Sequence, residues 1–189
     1  MRIYDATIDD TGMLGVNAIS LVEYPAIEKN FVALAQQEVQ LQKIDEARQM
    51  LFGPVLIPDQ LILRHDEEGD YYIRYSAKVI EQVAHDFIKK NRQHNHTLEH
   101  EMAINSATVV ETWIKESEAD KSVMLGFDLP VGTWFVGTKI DDPKMFELAK
   151  TGAVKGFSIE GFFDMKQSTE QIEQSLLNDI EKLLSFTAF

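Results

Sequence analysis

Four short runs rich in β-branched and aromatic residues follow one another between residues 96 and 140, with polar, glycine or proline breaks between them. The runs are HTLEHEM, ATVVETWIK, VMLGFDLP and GTWFVGTKI. Runs of this length and composition are typical of β-strands, and short connections between them favour antiparallel pairing. This half of the sequence therefore predicts a sheet, in a fold where β-structure dominates.

Further strands are predicted closer to the N-terminus. The segments RIYDATI and NAISLVEY read as extended chain. The segments VLIPDQLILR and YYIRYS flank the polar sequence HDEEGD, which is the pattern of a strand, a turn and a second strand. A β-hairpin is therefore expected there.

Two helices are predicted between these strands. Ser76 is placed to cap the first, which is expected to run to Asn91. Its apolar residues recur on one helical face: Val79, Ile80, Val83, Ala84, Phe87 and Ile88. Asp142 and Pro143 open the second helix and Gly152 closes it, because proline suits the first helical turn and glycine the left-handed cap.

The C-terminal segment predicts a third helix, capped by Ser168 or Thr169. Its apolar stripe consists of Ile172, Leu176, Ile180, Leu183 and Leu184. The expected fold class is α+β: one domain over residues 1–166, built as a mainly antiparallel sheet or barrel with about three surrounding helices, and an amphipathic helix over 167–189. Residues 36–51, rich in Gln, Glu and Ala, are expected to form a helical or loosely ordered connector within that domain.

Composition excludes several classes of protein. The chain has no cysteine, which rules out disulfides, thiolate metal sites and a cysteine nucleophile. Its 31 acidic and 18 basic residues give a formal net charge of −13, so binding to nucleic acid is not expected. The sequence shows neither an export signal nor an apolar stretch long enough to span a membrane, so the chain is expected to stay in the cell where it is made.

The segment KGFSIEGFFD, residues 155–164, carries the hydroxyl group of greatest interest. As a strand it places Phe157 and Ile159 on one face and Ser158 and Glu160 on the other. The neighbouring glycines, Gly156 and Gly161, have two readings: a bulge or bend in the strand, or backbone N–H groups that bind a substrate oxyanion.

Three histidines lie within seven residues in QHNHTLEHE: His94, His96 and His100. In a regular strand all three face the same way. They are open to three interpretations: a solvated loop for His94 and His96, a metal site of that pair completed by Glu99, Glu101 or a distant acid, or His100 as a general base for Ser158. A serine hydroxyl needs an imidazole within hydrogen-bond reach to become a nucleophile, and the imidazole needs a third group to fix its tautomer.

Several segments together resemble the phage serine proteases of the XkdF type. They are LEHE at 98–101, VVETWI at 109–114, LPVGTWFVGTKI at 129–140 and VKGFSIEGFF at 154–163, with ISLVEYPAIEKNFVAL and GPVLIPDQLILR similar as well. The likeness covers the chain to about residue 164, except 36–51. These proteins are grouped with prohead proteases, so the resemblance implies the fold of herpesvirus assembly proteases, a mostly antiparallel β-barrel with surrounding helices.

The resemblance also implies roles for individual residues. Ser158 corresponds to the nucleophile and His100 to the general base, with His96 as the second choice for the base. Herpesvirus enzymes use a histidine downstream of the serine as third member, but no histidine follows Ser158 in this chain. An acid is expected in its place: Glu111 first, and Glu160 second. No metal or cofactor is implied.

The function implied by the resemblance is that of a serine endopeptidase that cleaves scaffold and capsid proteins during prohead maturation. It would act in the cytoplasm of the bacterial host, inside the phage prohead, without nucleic acid or membrane as partner. Herpesvirus relatives pair through helices, so a homodimer is expected from the likeness. The alternative is a structural or scaffold component of the phage head that keeps the fold without the chemistry.

Overall fold

The computed structural model describes residues 2–9, 14–24, 43–169, 173 and 177. Within them the strands are β1 (Arg2–Thr7), β2 (Gly15–Val22), β3 (Lys43–Asp45), β4 (Met50–Leu56), β5 (Ile62–Asp66), β6 (Gly69–Arg74), β7 (His96–Leu98), β8 (Met102–Ile104), β9 (Ala107–Ile114), β10 (Trp134–Ile140), β11 (Gly156–Phe162) and β12 (Asp164–Gln167). The helices are α1 (Ala77–Lys89), α2 (Lys121–Met124) and α3 (Pro143–Lys150).

The strands form three four-stranded sheets. Their orders are β12-β1-β6-β5, β3-β4-β10-β9 and β11-β2-β7-β8. The pairings of β1 with β6 and of β2 with β7 are parallel, and the others are antiparallel. The fold is therefore mostly β with mainly antiparallel pairing, and the predicted α+β class is wrong.

The expectation of a β-barrel with surrounding helices is wrong. A barrel closes only when the first and last strands of one sheet pair with each other. Here the chain changes sheet repeatedly, so each described sheet is open and ends in a strand with one paired side, such as β8 or β11. The described helices are also few, and α2 is a single turn.

Two predicted helices are confirmed with their caps. The Ser76 hydroxyl accepts a hydrogen bond from the Val79 backbone N–H at 3.3 Å, which opens α1. The Asp142 carboxylate accepts from the Lys144 N–H at 2.8 Å at the start of α3, and Gly152 follows that helix with φ +76°. These elements were predictable because their capping signals are local. The apolar stripe of the predicted C-terminal helix and residues 25–42 lie outside the described residues.

Two other segments differ from their predicted structure. The run VMLGFDLP forms no strand; instead Asp120 caps α2 by accepting the Ser122 N–H at 2.8 Å and the indole N–H of Trp113 at 3.0 Å. Residues 43–51 of the expected connector form β3, a turn and the start of β4, held by an Arg48 to Asp45 ion pair of 2.8 Å. In both places an acidic side chain favours a turn that hydrophobic patterning does not reveal.

The main core lies between the sheets and the apolar face of α1. Trp134 is fully buried and meets Phe87 of α1 edge to face, with ring centroids 5.7 Å apart. Ile19 and Phe157 join the same cluster from β2 and β11, so the back of the β11-β2-β7-β8 sheet is core. In the described part of the chain, no helix is long and apolar enough to cross a membrane.

Candidate active site

Three hydroxyl side chains form a row across one face of the β11-β2-β7-β8 sheet. Ser158 lies directly opposite Ser20 of β2, and Ser20 is in register with Thr97 of β7. Side chains of residues in register point to the same face, with their Cβ atoms about 5 Å apart. Ser20 is fully buried and Ser158 is 7% exposed. The row therefore lies at the base of the site.

Glu160 brings a carboxylate to the same face, two residues beyond Ser158 on β11. Its Oε1 accepts a hydrogen bond from the Thr97 hydroxyl and lies 3.2 Å from Nδ1 of His100. The side chains of His100 and Glu160 are 42% and 32% exposed. This acid and imidazole pair is thus open to solvent above the buried hydroxyls.

His100 reaches Glu160 because the chain turns at that point. Glu99 and His100 have φ of 52° and 62°, in the left-handed region that few side chains adopt. The turn is held on β2: the His100 N–H donates to the Ser20 hydroxyl at 3.0 Å, and the Glu99 N–H donates to the Leu21 carbonyl at 3.0 Å. The Glu99 carboxylate accepts the Glu23 N–H at 2.6 Å.

This turn overturns the prediction that His94, His96 and His100 face the same way. A regular strand does not continue through Glu99 and His100, so the alternation of faces ends at Leu98. His96 is in register with the core residue Ile19, on the opposite face from Ser158. Of the three histidines, His100 alone is brought to the Ser158 face with a carboxylate partner.

His96 is 2% exposed, and neither ring nitrogen is hydrogen-bonded to any residue that the structure describes. Burial lowers the pKa of His96 to about 4. The nearby His94 backbone acts in the opposite direction and raises the pKa, although it forms no hydrogen bond with either ring nitrogen. At neutral pH the imidazole is therefore uncharged and packed in the core.

The structure does not bring Glu111 to His100. Glu111 lies on β9, in the sheet with β10 and β4, and pairs with the ammonium of Lys121. That ammonium also sits over two rings, 4.7 Å from the centroid of Phe52 and 4.9 Å from that of Trp113. Glu111 thus belongs to a cation–π cluster, and the acid beside His100 is Glu160.

The Ser158 hydroxyl makes no hydrogen bond with any residue that the structure describes. The imidazole of His100 lies against Glu160, and residues two apart on a strand are about 7 Å from each other. Transfer of the serine proton therefore requires the His100 ring to approach the hydroxyl within about 3 Å. Catalytic hydrogen bonds that are long in a free enzyme often shorten in the complex with substrate.

Sequence reasoning missed Ser20 and Thr97. Ser20 stands between Ile19 and Leu21 in a strand that is buried on both faces, which is the same pattern as Ser158 between Phe157 and Ile159. A small hydroxyl in an apolar strand was thus a signal for Ser20 as well as for Ser158. The register that joins them is not visible in either strand alone.

Gly161 lies at an irregularity in the pairing of β11 with β2, between Glu160 and Gly161. A Cβ at this position would be 2.1 Å from the carbonyl oxygen of Gly15. The glycine therefore permits a close backbone approach at a β-bulge. The bulge interpretation of Gly161 is confirmed.

No metal site is assembled in the described part of the chain, where no group of three or more His, Asp or Glu side chains could hold an ion. Nδ1 of His94 lies 3.1 Å from the Thr108 hydroxyl, and His96 faces the core. The metal site considered for His94 and His96 is therefore not formed by these residues.

Comparison with known protein families gives a match over most of the chain. The model of the family described as "Putative phage serine protease XkdF" matches residues 38–167. No curated protein and no solved structure is significantly similar to the chain. The matched range contains Ser158, His100 and Glu160, and ends where the predicted C-terminal helix begins.

Proposed function

Because the chain belongs to the XkdF family of phage serine proteases, we propose that it is a serine endopeptidase whose nucleophile is Ser158. The observation that carries the proposal is the pairing of His100 with Glu160 on the face of the sheet where Ser158 lies. Nucleophile, base and orienting acid are the three groups that serine catalysis needs.

His100 is the proposed general base and Glu160 the acid that orients it. Since Glu160 contacts Nδ1, the other ring nitrogen, Nε2, is left to accept the serine proton. Glu160 takes the role predicted for Glu111, because Glu111 lies in another sheet and forms an ion pair with Lys121. The carboxylate also stabilises the imidazolium formed during the reaction.

The proposed reaction has two stages. Oγ of Ser158 attacks the peptide carbonyl while its proton passes to His100, which then donates that proton to the leaving amine. Water hydrolyses the acyl-enzyme in the second stage, with His100 again as base. The first step requires the imidazole to move so that Nε2 comes within about 3 Å of the Ser158 oxygen while Nδ1 stays at Glu160, a position that substrate binding favours.

The proposed substrates are scaffold and capsid proteins of the phage, cleaved inside the prohead in the bacterial cytoplasm. This part of the proposal follows from the likeness to prohead proteases stated above. A homodimer paired through helices is proposed on the same basis.

A fluorophosphonate probe tests the chemistry on the full chain. We expect covalent labelling of the wild type and none of Ser158→Ala. The matched control is Ser122→Ala, since Ser122 is a buried serine of α2 whose hydroxyl has no described partner. This control should label like the wild type. In a co-expression test, a phage scaffold protein should be cleaved by the wild type and left intact by Ser158→Ala.

One observation favours the alternative function, a structural component of the phage head. The Ser158 hydroxyl is not hydrogen-bonded to the His100 ring or to any other described residue, so no activated serine is assembled in the free chain. Under this alternative the wild type fails to react with the probe, and Ser158→Ala supports head assembly as well as the wild type does.

A further inference from the structure

A cavity of about 240 Å³ lies between β11 and the sheet that contains β5, β6 and β12. Most of its lining side chains are apolar or aromatic. Its lining residues are Arg64, Ile73, Tyr75, Ile159, Phe162 and Met165, with the glycine and phenylalanine that flank Phe162. Ile159 directly follows Ser158 in the chain and packs on the core side of the strand. At Ile159 the cavity therefore lies on the opposite face of β11 from the candidate active site.

Arg64 gives this cavity a positive charge that no described acid neutralises. The guanidinium donates one hydrogen bond, 3.0 Å long, to the carbonyl of its neighbour Leu63. The chain has a formal net charge of −13, and most of its arginines, namely Arg2, Arg48 and Arg74, pair with a carboxylate. An arginine fork in an apolar cavity is well suited to bind a carboxylate of a ligand.

The second polar side chain of the wall is Tyr75, which is 4% exposed. Burial raises the pKa of Tyr75 to about 12, and the charge of Arg64 opposes that rise. The phenol is therefore neutral at physiological pH, and Arg64 is the charged group of the cavity. A ligand suited to this cavity therefore has an apolar side chain with a negative charge nearby.

Large apolar side chains stand exposed at the mouth of the cavity. Phe162 is 69% exposed and Met165 is 47% exposed. Together with the apolar walls they form a surface that gains stability when it is covered. An apolar group entering the cavity would remove both side chains from water.

The position of β11 indicates what could enter. Among the described strands β11 is the last of its sheet, and the part from Ile159 to Phe162 is partly or fully exposed. An extended peptide laid along such an edge sends alternate side chains to the two faces of the sheet. One set would face Ser158 and Glu160, and the next residues would face the cavity.

We propose that this cavity is a substrate subsite that takes a large apolar side chain of an extended peptide and binds an acidic side chain two residues away through Arg64. Residues two apart in an extended chain lie on one face, about 7 Å from each other, so both can enter the same cavity. The proposal rests on the protease function for its role in catalysis, but its binding step does not.

Binding is measured on full-length Ser158→Ala, so that no probe is cleaved. The probe is the capped peptide acetyl-Thr-Phe-Thr-Glu-Thr-amide, titrated by NMR, alongside two relatives with Ala in place of Phe or Lys in place of Glu. Each replacement should weaken binding about fivefold or more. Adding Arg64→Glu should reverse the charge preference, so that the Lys peptide binds better than the Glu peptide.

The matched control is Arg48→Glu, because Arg48 carries the same charge on an exposed turn of another sheet. It should leave the preference for the Glu peptide unchanged. Arg64→Gln is a second variant in case Arg64→Glu does not fold, and it should remove discrimination between the two peptides without reversing it. An undiminished preference in both Arg64 variants, or equal binding of the Phe and Ala peptides, overturns the subsite.

The outcome is separable from that of the protease proposal. Peptide binding with the expected dependence on Arg64, in a chain whose wild type does not react with a fluorophosphonate, supports the subsite and removes the catalytic role. Labelling of Ser158 without any dependence of binding on Arg64 supports the protease and overturns the subsite.

Discussion

The hydroxyl of Ser20 accepts a hydrogen bond from the backbone N–H of His100 at 3.0 Å. Ser20 is also the residue directly opposite Ser158 in the neighbouring strand. One fully buried side chain thus connects the strand of the proposed nucleophile to the turn of the proposed base. The turn needs such an anchor because Glu99 and His100 both occupy the left-handed region.

Replacement of Ser20 by alanine should therefore misplace His100. We expect fluorophosphonate labelling of Ser158 to slow at least about tenfold in Ser20→Ala, because an improperly placed base loses much of its catalytic effect. The backbone amide of His100 should exchange its hydrogen at least about tenfold faster, since it loses its acceptor. Ser20→Thr, which keeps a hydroxyl, should restore much of both.

Ser122→Ala is the control for the loss of a buried serine hydroxyl, and it should change neither measurement. Unchanged His100 exchange in Ser20→Ala would show that the hydrogen bond does not hold the turn. If the His100 amide exchanges faster in Ser20→Ala while labelling is unchanged, the turn is not part of catalysis.

Substitution of the two candidate acids should separate their roles. Glu160→Gln keeps the size of the side chain but removes the charge beside Nδ1 of His100, so labelling should fall at least about tenfold. Glu111→Gln should label within about twofold of the wild type, because Glu111 pairs with Lys121 in another sheet. Labelling rates of both purified variants are compared at pH 7 to 8. A larger loss of labelling in Glu111→Gln than in Glu160→Gln would instead identify Glu111 as the acid that orients His100.

Gly161→Ala should destabilise the fold. The added Cβ would meet the Gly15 carbonyl oxygen at 2.1 Å, and backbone atoms of a paired strand cannot move away cheaply. We expect the free energy of unfolding to fall by about 2 kcal/mol or more. Gly126→Ala is the comparison, since its φ of +94° brings backbone strain while no atom lies within 4 Å of the added Cβ. In chemical denaturation, Gly126→Ala should lower the free energy of unfolding by less than Gly161→Ala does.

Local features of the fold were predictable from the sequence. Capping by Ser76 and Asp142 depends on neighbours within one turn, and the two faces of β11 follow from alternation. The positions of Ser158 and Glu160 on one face were therefore available before the structure, and the bulge at Gly161 was one of the two readings of that glycine.

The partner of His100 depended on information that is not local. Both Glu111 and Glu160 lie in strands, and the choice between them follows from the parallel pairing of β2 with β7, which brings β7 and β11 to the two sides of β2. The turn at Glu99 and His100 has no glycine or asparagine to announce a left-handed conformation. Tertiary hydrogen bonds to β2 stabilise it instead.

The buried imidazole of His96 should make the fold sensitive to acid. Its pKa is about 4 in the folded chain and about 6.5 when exposed, so above pH 6.5 the ring is neutral in both states. As the pH falls below 6.5, the unfolded chain takes up a proton that the folded chain does not. The free energy of unfolding therefore decreases, by about 3 kcal/mol in total once the pH reaches 4.

The test is urea unfolding between pH 7 and pH 4.5, with His96→Leu beside the wild type. The variant lacks the titrating group, so the difference in the free energy of unfolding between variant and wild type should grow in favour of the variant as the pH falls. The control is His85→Gln, since His85 is an exposed histidine of α1, and this variant should follow the wild type. A difference that stays constant across this range would mean that His96 is protonated as readily in the fold as outside it.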